Sequence, residues 1–205
     1  MEYELRHKTK RRISAGNYYP LGANLDEGGG NFAIYSQHAS EIFLLLFDRP
    51  DGGPTDIIQL EQPTKHIWHT FVHGLKAGQL YGYKIRGDFN PGYAMRFNEN
   101  KLLIDPYAKA LAGKANNKDN LLLSYDPNSL AKDLSMDKRD NTPIVPKSIV
   151  IDDHFDWQGD ELTYASETLL DYVDKGYIAS DVSSVKADDA GVSWINGTAI
   201  SPLGT

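Results

Sequence analysis

The chain has 205 residues, a formal net charge of −7 and no cysteine. This length allows one sizeable hydrophobic core plus an appendage. The acidic charge disfavours nucleic acid as a partner, and the lack of thiols excludes disulfides, cysteine nucleophiles and thiolate metal sites. No apolar run approaches the roughly 18 residues of a membrane span, and the N-terminus does not resemble a signal sequence. The composition therefore predicts a cytoplasmic protein with no nucleic-acid or membrane partner.

The first element in chain order is a basic arm, residues 1–14. Its charge is concentrated in Lys8–Arg12, which lies at the very start of the chain. Terminal segments fray when no contacts tie them down, and a run of like charges is usually solvated. We therefore predict a flexible, solvent-exposed arm.

Short apolar runs separated by turn residues follow the arm. The predicted strands are Asn31–His38, Glu41–Asp48, Asp56–Leu60, His66–Val72 and Leu80–Arg86. Glu41–Asp48 is apolar on both faces, as in a central strand packed on two sides. Strands at this spacing, with no helical period between them, are typical of a sandwich. The fold class predicted for residues 15–110 is therefore mainly β, an immunoglobulin-like antiparallel β-sandwich.

The glycines before the first of these strands predict a hairpin turn. A phosphate-binding loop needs a helix N-terminus after it. Gly28–Gly30 precedes a strand instead.

The pattern changes after Asp105-Pro106. A short helix is predicted over Tyr107–Leu111, and residues 111–160 are polar with little apolar pattern. Long connections of this kind are usually functional or linking, so we interpret them as a loop-rich extension over a neighbouring domain. Residues 161–205 form a tail to which the sequence assigns no fold, apart from a helix that Ser166 can cap.

Two features that suggest metal binding or catalysis are better explained by the fold. On a strand, His66 faces away from His69, and His69 and His73 lie about 13 Å apart, too far for one metal ion. The adjacent acids Asp152-Asp153 and Asp188-Asp189 point to opposite faces of an extended chain, so neither pair presents two carboxylates to one atom. We expect no metal, no cofactor and no catalytic residue.

Sugar binding is the function that the residue types favour. Sugar rings offer C–H faces to aromatic rings and hydroxyl groups to polar side chains. The candidates for glucan binding or domain docking are Trp68, Tyr81, Tyr83, Tyr93, Arg96, Phe97, Asn98, Asn100 and Lys101. Two alternatives remain open: Trp68 and one face of the Tyr81/Tyr83 strand belong to the sandwich core, and Arg96–Tyr107 is a surface that docks on another domain.

A set of short motifs in a fixed order supports a family resemblance. The motifs are Tyr19–Ala23 (YPLGA), Asn31–Ser36 (NFAIYS), Trp68–Val72 (WHTFV), Gly74-Leu75, Gly78–Tyr83 (GQLYGY), Arg96–Asn98 (RFN), Asn100–Ala108 (NKLLIDPYA), Pro146-Lys147 and Phe155–Trp157 (FDW). Over residues 19–157 the chain resembles the N-terminal module of bacterial glycogen debranching enzymes and isoamylases of the α-amylase superfamily. That module is classed with carbohydrate-binding module family 48.

The resemblance implies a partner and a reaction. In such enzymes a catalytic (β/α)₈ barrel, which needs about 250 residues, follows the module and hydrolyses α-1,6 branch linkages with paired carboxylates. The tail, which begins Glu161-Leu162-Thr163, does not match the barrel. We therefore expect a glycoside hydrolase module truncated before its catalytic domain and inactive alone.

The expected partners are α-glucan, namely glycogen and malto-oligosaccharides, the catalytic (β/α)₈ domain, or a second copy through an orphaned docking face. That face would expose an apolar patch near Tyr93, Phe97 and Leu102, which promotes association. Two alternative functions are a stand-alone glucan-binding or regulatory protein and a non-functional gene remnant.

Overall fold

The computed structural model describes residues 5–61 and 63–153. The predicted tail helix at Ser166 and residues 161–205 lie outside them. Within the described residues the strands are β1 (Ile13–Ser14), β2 (Gly22–Asp26), β3 (Gly29–Tyr35), β4 (Ala39–Phe47), β5 (Asp56–Gln59), β6 (Ile67–His73), β7 (Leu80–Gly87), β8 (Phe89–Asn90), β9 (Met95–Arg96), β10 (Leu111–Ala112) and β11 (Lys147–Ile149). Short 3₁₀ turns cover Pro91–Tyr93, Lys118–Asn120, Lys132–Leu134 and Thr142–Ile144.

The strands form two antiparallel sheets that pack face to face. The first sheet has the order β1-β6-β3-β2, and the second has the order β10-β11-β7-β4-β5. Strands β8 and β9 pair separately as a small hairpin. The predicted fold class, an immunoglobulin-like antiparallel β-sandwich, is confirmed.

The core lies between the two sheets. Alternate residues of each strand point inward, and β3, β4, β6 and β7 provide most of them. The buried cluster includes Phe32, Ile34, Ile42, Leu44, Leu46, Trp68, Val72, Tyr81, Tyr83 and Ile85. A second cluster covers the outer face of the larger sheet and includes Phe43, Leu45, Phe47, Leu80, Leu102 and Val145. Strand β4 is therefore buried on both faces, as its continuous apolar run predicts.

The glycine-rich segment before β3 forms the predicted hairpin turn. Strands β2 and β3 pair from Gly22↔Ala33 to Asp26↔Gly29, which leaves Glu27 and Gly28 as the two-residue connection. Gly28 has φ +84°, a conformation that glycine adopts at no steric cost.

The predicted helix over Tyr107–Leu111 is wrong. A carboxylate oxygen of Asp105 accepts the backbone N–H of Tyr107 at 2.8 Å, which closes a turn. The chain then runs extended, since Ile149 donates its N–H to the carbonyl of Ala110 at 2.9 Å and Leu111 pairs with Ser148.

The larger sheet includes strands from both sides of residue 110. Strand β11 lies between β7 and β10, with Ser148 opposite Tyr81 and Ile149 opposite Leu80. Residues 113–146, called the extension below, leave the sheet after β10 and return to it at β11. Part of the predicted free arm joins the sandwich, since β1 pairs with β6 and Lys8 exchanges backbone hydrogen bonds with Ile57 at 2.7 and 2.8 Å. The division of the chain at residues 14, 110 and 160 stays a prediction.

Candidate functional site

Three of the nine candidate residues lie inside the sandwich. Trp68 is 5% exposed, and its indole N–H donates to the carbonyl of Ser36 at 3.1 Å. Tyr81 and Tyr83 are buried with their ring centroids 5.9 Å apart, and Tyr81 meets Phe32 edge-on at 5.2 Å. Edge-to-face packing of this kind stabilises aromatic cores. In this conformation these rings offer no face to a sugar.

The hydroxyl group of Tyr81 joins the core to the segment that follows β9. It donates to the buried carboxylate of Asp105 at 2.8 Å, and the N–H of Asp105 donates to the hydroxyl of Ser148 at 3.1 Å. Burial raises the pKa of Asp105. Burial and the nearby Asp105 also raise the pKa of Tyr81. The arrangement ties β7, the Asp105 turn and β11 together.

Two further candidates, Asn98 and Lys101, hold the extension in place. The ammonium group of Lys101 donates to the carboxylate of Asp137 at 3.1 Å and to the carbonyls of Leu121 and Arg139 at 3.0 and 2.9 Å. The amide of Asn98 donates to the carbonyls of Ser124 and Asp137 at 3.1 and 2.8 Å. Lys101 and Asp137 are 3% and 4% exposed, so both residues are buried. We call Asn98, Lys101, Asp137 and Arg139 the anchor cluster.

The charges of the anchor cluster shift its pKa values. Burial alone would raise the pKa of Asp137, but hydrogen bonds from Arg139 and Lys101 outweigh it and lower that pKa to about 2. Burial lowers the pKa of Lys101 despite its contact with Asp137. A buried pair of this kind needs every remaining donor and acceptor satisfied, and the surrounding carbonyls provide this.

A second set of contacts reinforces the anchor cluster. The side-chain oxygen of Asn141 accepts the buried N–H of Leu102 at 2.6 Å, and its amide donates back to the carbonyl of Leu102 at 3.3 Å. Lys84 on β7 pairs with Asp140 at 2.8 Å. The extension is thus fastened to the sandwich by buried polar contacts.

The sequence could have indicated part of this arrangement. A short polar run, Asn98–Lys101, separates Phe97 from the apolar run that begins at Leu102, and polar residues next to buried segments are usually hydrogen-bonded where they become buried. Asp137 and Asn141 carry no such local signal, because most of their neighbours in sequence are polar.

The remaining candidates, Tyr93, Arg96, Phe97 and Asn100, lie at or near the surface around the β8–β9 hairpin. Tyr93 is 80% exposed at the tip of the hairpin. Phe97 is partly buried against the main core, and the amide of Asn100 donates to the side chain of Asn98 at 2.9 Å.

Arg96 connects this hairpin to the extension. Its guanidinium group donates to the backbone carbonyl of Asp133 and to the carboxylate of Asp133, the latter at 3.2 Å. Tyr93 and Arg96 thus lie together at one surface, whereas Asn98 and Lys101 face the interior.

The expected apolar patch near Tyr93, Phe97 and Leu102 does not include Leu102. That side chain is buried in the second cluster, because the extension covers it. Large exposed apolar residues lie instead on the next segment, at Leu103, Ile104 and Tyr107.

The surface also has an open cleft of about 620 Å³ at the edge of the sandwich. Its lining includes His7, Ser40, Glu41, Gln59 and the edge of Trp68. Glu41 already pairs with Arg86 at 2.7 Å and accepts from Gln59 at 2.8 Å, so it is largely satisfied within the protein.

Two properties of the described residues concern other classes of site. Within residues 5–61 and 63–153, no group of three His, Asp or Glu side chains is placed to hold a metal ion. In the same part of the chain, no helix has the length and apolar character that crossing a bilayer requires.

Comparison with known proteins relates the sandwich to one family. The model of carbohydrate-binding module 48 (isoamylase N-terminal domain) matches residues 20–108. The glycogen debranching enzyme of Yersinia enterocolitica is 40% identical over 148 residues, which cover 72% of this chain and 21% of that enzyme. The glycogen debranching enzyme of Serratia proteamaculans is 38% identical over 148 residues, with the same two coverages. The chain thus spans 21% of the length of these curated relatives.

Among solved structures, a mutant pullulanase from Paenibacillus barengoltzii complexed with maltotetraose is similar to this chain. It is 25% identical, with a TM-score of 0.39, and the match covers 46% of this chain and 13% of the pullulanase.

Proposed function

We propose that this chain binds α-glucans such as glycogen and malto-oligosaccharides, because residues 20–108 match the model of carbohydrate-binding module 48, the isoamylase N-terminal domain. The observation that carries the proposal is the family match over strands β2 to β9, the region that builds most of both sheets. The names of the relatives, glycogen debranching enzymes, point to the same class of polymer. We place this activity in glycogen metabolism in the cytoplasm.

Binding, rather than hydrolysis, is the role proposed for the described residues. Retaining hydrolysis of a glycosidic bond needs two carboxyl groups about 5 Å apart on opposite sides of that bond. The buried acids of this structure serve the fold instead: Asp105 accepts from Tyr81, and Asp137 accepts from Lys101 and Arg139.

Calorimetric titration of the full chain with maltoheptaose tests the proposal. We expect saturable binding of maltoheptaose, no response to the β-linked cellopentaose, and no release of sugar from branched glucan. A flat maltoheptaose titration up to millimolar concentration contradicts glucan binding, and release of reducing sugar contradicts the absence of catalysis.

A second candidate function is docking on a neighbouring catalytic (β/α)₈ domain or on a second copy of the chain. Its support is the exposed apolar group Leu103, Ile104 and Tyr107, which one short segment presents around the buried Asp105. Gly22 lies against the base of Tyr107, where a Cβ atom would come within 2.9 Å of the Tyr107 Cβ, so β2 supports this segment.

Light scattering tests the docking candidate in its self-associating form. We expect the mass of the full chain to rise with concentration, and Ile104→Glu to suppress that rise, since a carboxylate opposes burial of the apolar group. A monomer at high concentration argues against association through this segment.

A further inference from the structure

The geometry points to a glucan-binding surface where the Pro91–Tyr93 turn meets the Lys132–Leu134 turn of the extension. We call this surface, made of Tyr93, Arg96, Asp133 and Leu134, the tyrosine platform. The inference rests on the proposed function and names its site. Half of the platform comes from outside residues 20–108, so the family match by itself does not assign it.

Tyr93 has the exposure that sugar stacking requires. It is 80% exposed, whereas Trp68, Tyr81 and Tyr83 are buried. An aromatic ring can pack against the C–H face of a pyranose only if one face of the ring is open. Of the nine sugar-binding candidates, Tyr93 is the aromatic residue that meets this condition within the described residues.

A backbone hydrogen bond closes the turn that presents Tyr93. Pro91 begins it, and the N–H of Ala94 donates to the carbonyl of Pro91 at 3.1 Å. Ala94 has φ +61°, a left-handed conformation that costs a non-glycine residue of order 1 kcal/mol. Such outliers persist where the surrounding structure imposes them, and they concentrate at binding sites.

The base of the hairpin is fixed by close packing. Phe89 pairs with Arg96 and Asn90 with Met95, and the ring of Phe97 lies directly over Gly87 of β7. Binding to a hairpin that is already formed costs less conformational entropy than binding to one that the ligand must order.

The extension adds polar and apolar groups beside the ring. The guanidinium group of Arg96 donates to the backbone carbonyl and to the carboxylate of Asp133, whose side chain remains 64% exposed. Leu134 follows, 59% exposed. The carboxylate can accept hydrogen bonds from sugar hydroxyls while Tyr93 and Leu134 cover the apolar face of the ring. This mixture of apolar and charged groups fits a carbohydrate better than an apolar peptide or a lipid.

Maltoheptaose titration of single variants of the full chain tests the platform. We expect Tyr93→Ala to weaken binding about tenfold, equivalent to roughly 1.4 kcal/mol. We expect Leu134→Ala to weaken it about threefold, since a smaller apolar contact is lost. The matched control is Tyr35→Ala, which removes another exposed tyrosine, one that lies at the end of β3. Its affinity should equal that of the unmodified chain.

The outcomes separate the site from the function. If the unmodified chain binds and Tyr93→Ala binds equally well, the platform is wrong while the proposed function stands. If Tyr35→Ala loses affinity instead, glucan binds at another face. If Tyr93→Ala weakens binding and Leu134→Ala does not, Leu134 does not contact the glucan and the platform as defined is wrong. If the unmodified chain does not bind, the proposed function fails and the platform fails with it.

A folding control accompanies the titrations. Tyr93, Leu134 and Tyr35 are all exposed, so each variant should keep the urea midpoint of the unmodified chain. Tyr93→Phe should keep its affinity for maltoheptaose, because the ring face and not the hydroxyl makes the proposed contact. Loss of affinity in Tyr93→Phe overturns the stacking geometry.

Discussion

Lys101 shows how a single residue changes its role once its partners are known. By type it is a plausible hydrogen-bond donor to a sugar hydroxyl. In the structure Lys101 is 3% exposed, and its ammonium group donates to Asp137 and to two carbonyls of the extension. Removing one member of a buried charge pair usually costs 3–5 kcal/mol, because the other charge stays buried without compensation. The residue therefore contributes to folding rather than to recognition.

The carboxylate of Asp137 should make the free energy of unfolding depend on pH in the acidic range. Its pKa is about 2 in the folded protein, below the usual 3.8. A carboxyl group whose pKa is lowered on folding stabilises the fold at pH values above its ordinary pKa. This contribution is lost as the pH falls through the pKa of the folded state. Between pH 6 and pH 2 the free energy of unfolding should lose about 2 kcal/mol that Asp137→Asn does not lose.

Urea titrations of both proteins at several pH values measure this difference. Glu27→Gln is the matched control, since Glu27 is exposed in the turn after β2 and its variant should follow the unmodified chain. Parallel pH profiles for the unmodified chain and Asp137→Asn would show that the anchor cluster does not lower the pKa of Asp137.

At the scale of elements, the β8–β9 hairpin depends on a close approach to β7. A Cβ atom at Gly87 would lie 2.6 Å from two atoms of the Phe97 ring, well inside van der Waals contact. Only glycine leaves room for the ring at this position. This contact sets where the hairpin, and with it Tyr93, leaves the sandwich.

Gly87→Ala should therefore destabilise the protein by about 1–3 kcal/mol, the usual cost of inserting a methyl group into a packed site. The urea midpoint measures the loss, and the same variant should bind maltoheptaose more weakly because the ring of Phe97 must move. Gly53→Ala is the control, since nothing lies within 4 Å of the added Cβ there. Equal midpoints for the two variants would mean that Phe97 does not pack on Gly87 in solution.

At the scale of the whole molecule, the extension completes the sandwich. It leads into β11, which lies between β7 and β10, and Lys147, Ser148 and Val150 are fully buried. Without β11, Leu80 and Tyr81 of β7 would lose their strand partners, and without the extension the second hydrophobic cluster would lose Val145. The folding unit is thus longer than the region that matches the family model.

A chain ending at residue 153 should unfold cooperatively in urea, whereas a chain ending at residue 112 should not. The shorter chain lacks β11, Asp137 and Asn141, so the buried ammonium group of Lys101 and the buried N–H of Leu102 lose these partners. Near-ultraviolet circular dichroism and the slope of the urea transition measure the difference. A shorter chain with the midpoint of the longer one would show that the sandwich folds without the extension.

Local pattern in the sequence determined the fold class, the approximate position of five strands, the two-sided burial of β4 and the Gly28 turn. These features depend on alternation over a few residues and on the conformational freedom of glycine, which the sequence displays directly. The family resemblance added a class of ligand and the expectation of a catalytic partner domain.

Only the tertiary structure decided which candidate side chains are free. Lys101 and Asp137 are 36 positions apart, and Asn141 meets Leu102 across 39 positions, so no local pattern can pair them. A further long-range contact brings Asp133 to Arg96 across 37 positions, on the hairpin that carries the exposed Tyr93. Whether a residue is buried depends on which other segments pack over it. Here residues 113–146, which are distant in sequence, cover Asn98, Lys101 and Leu102.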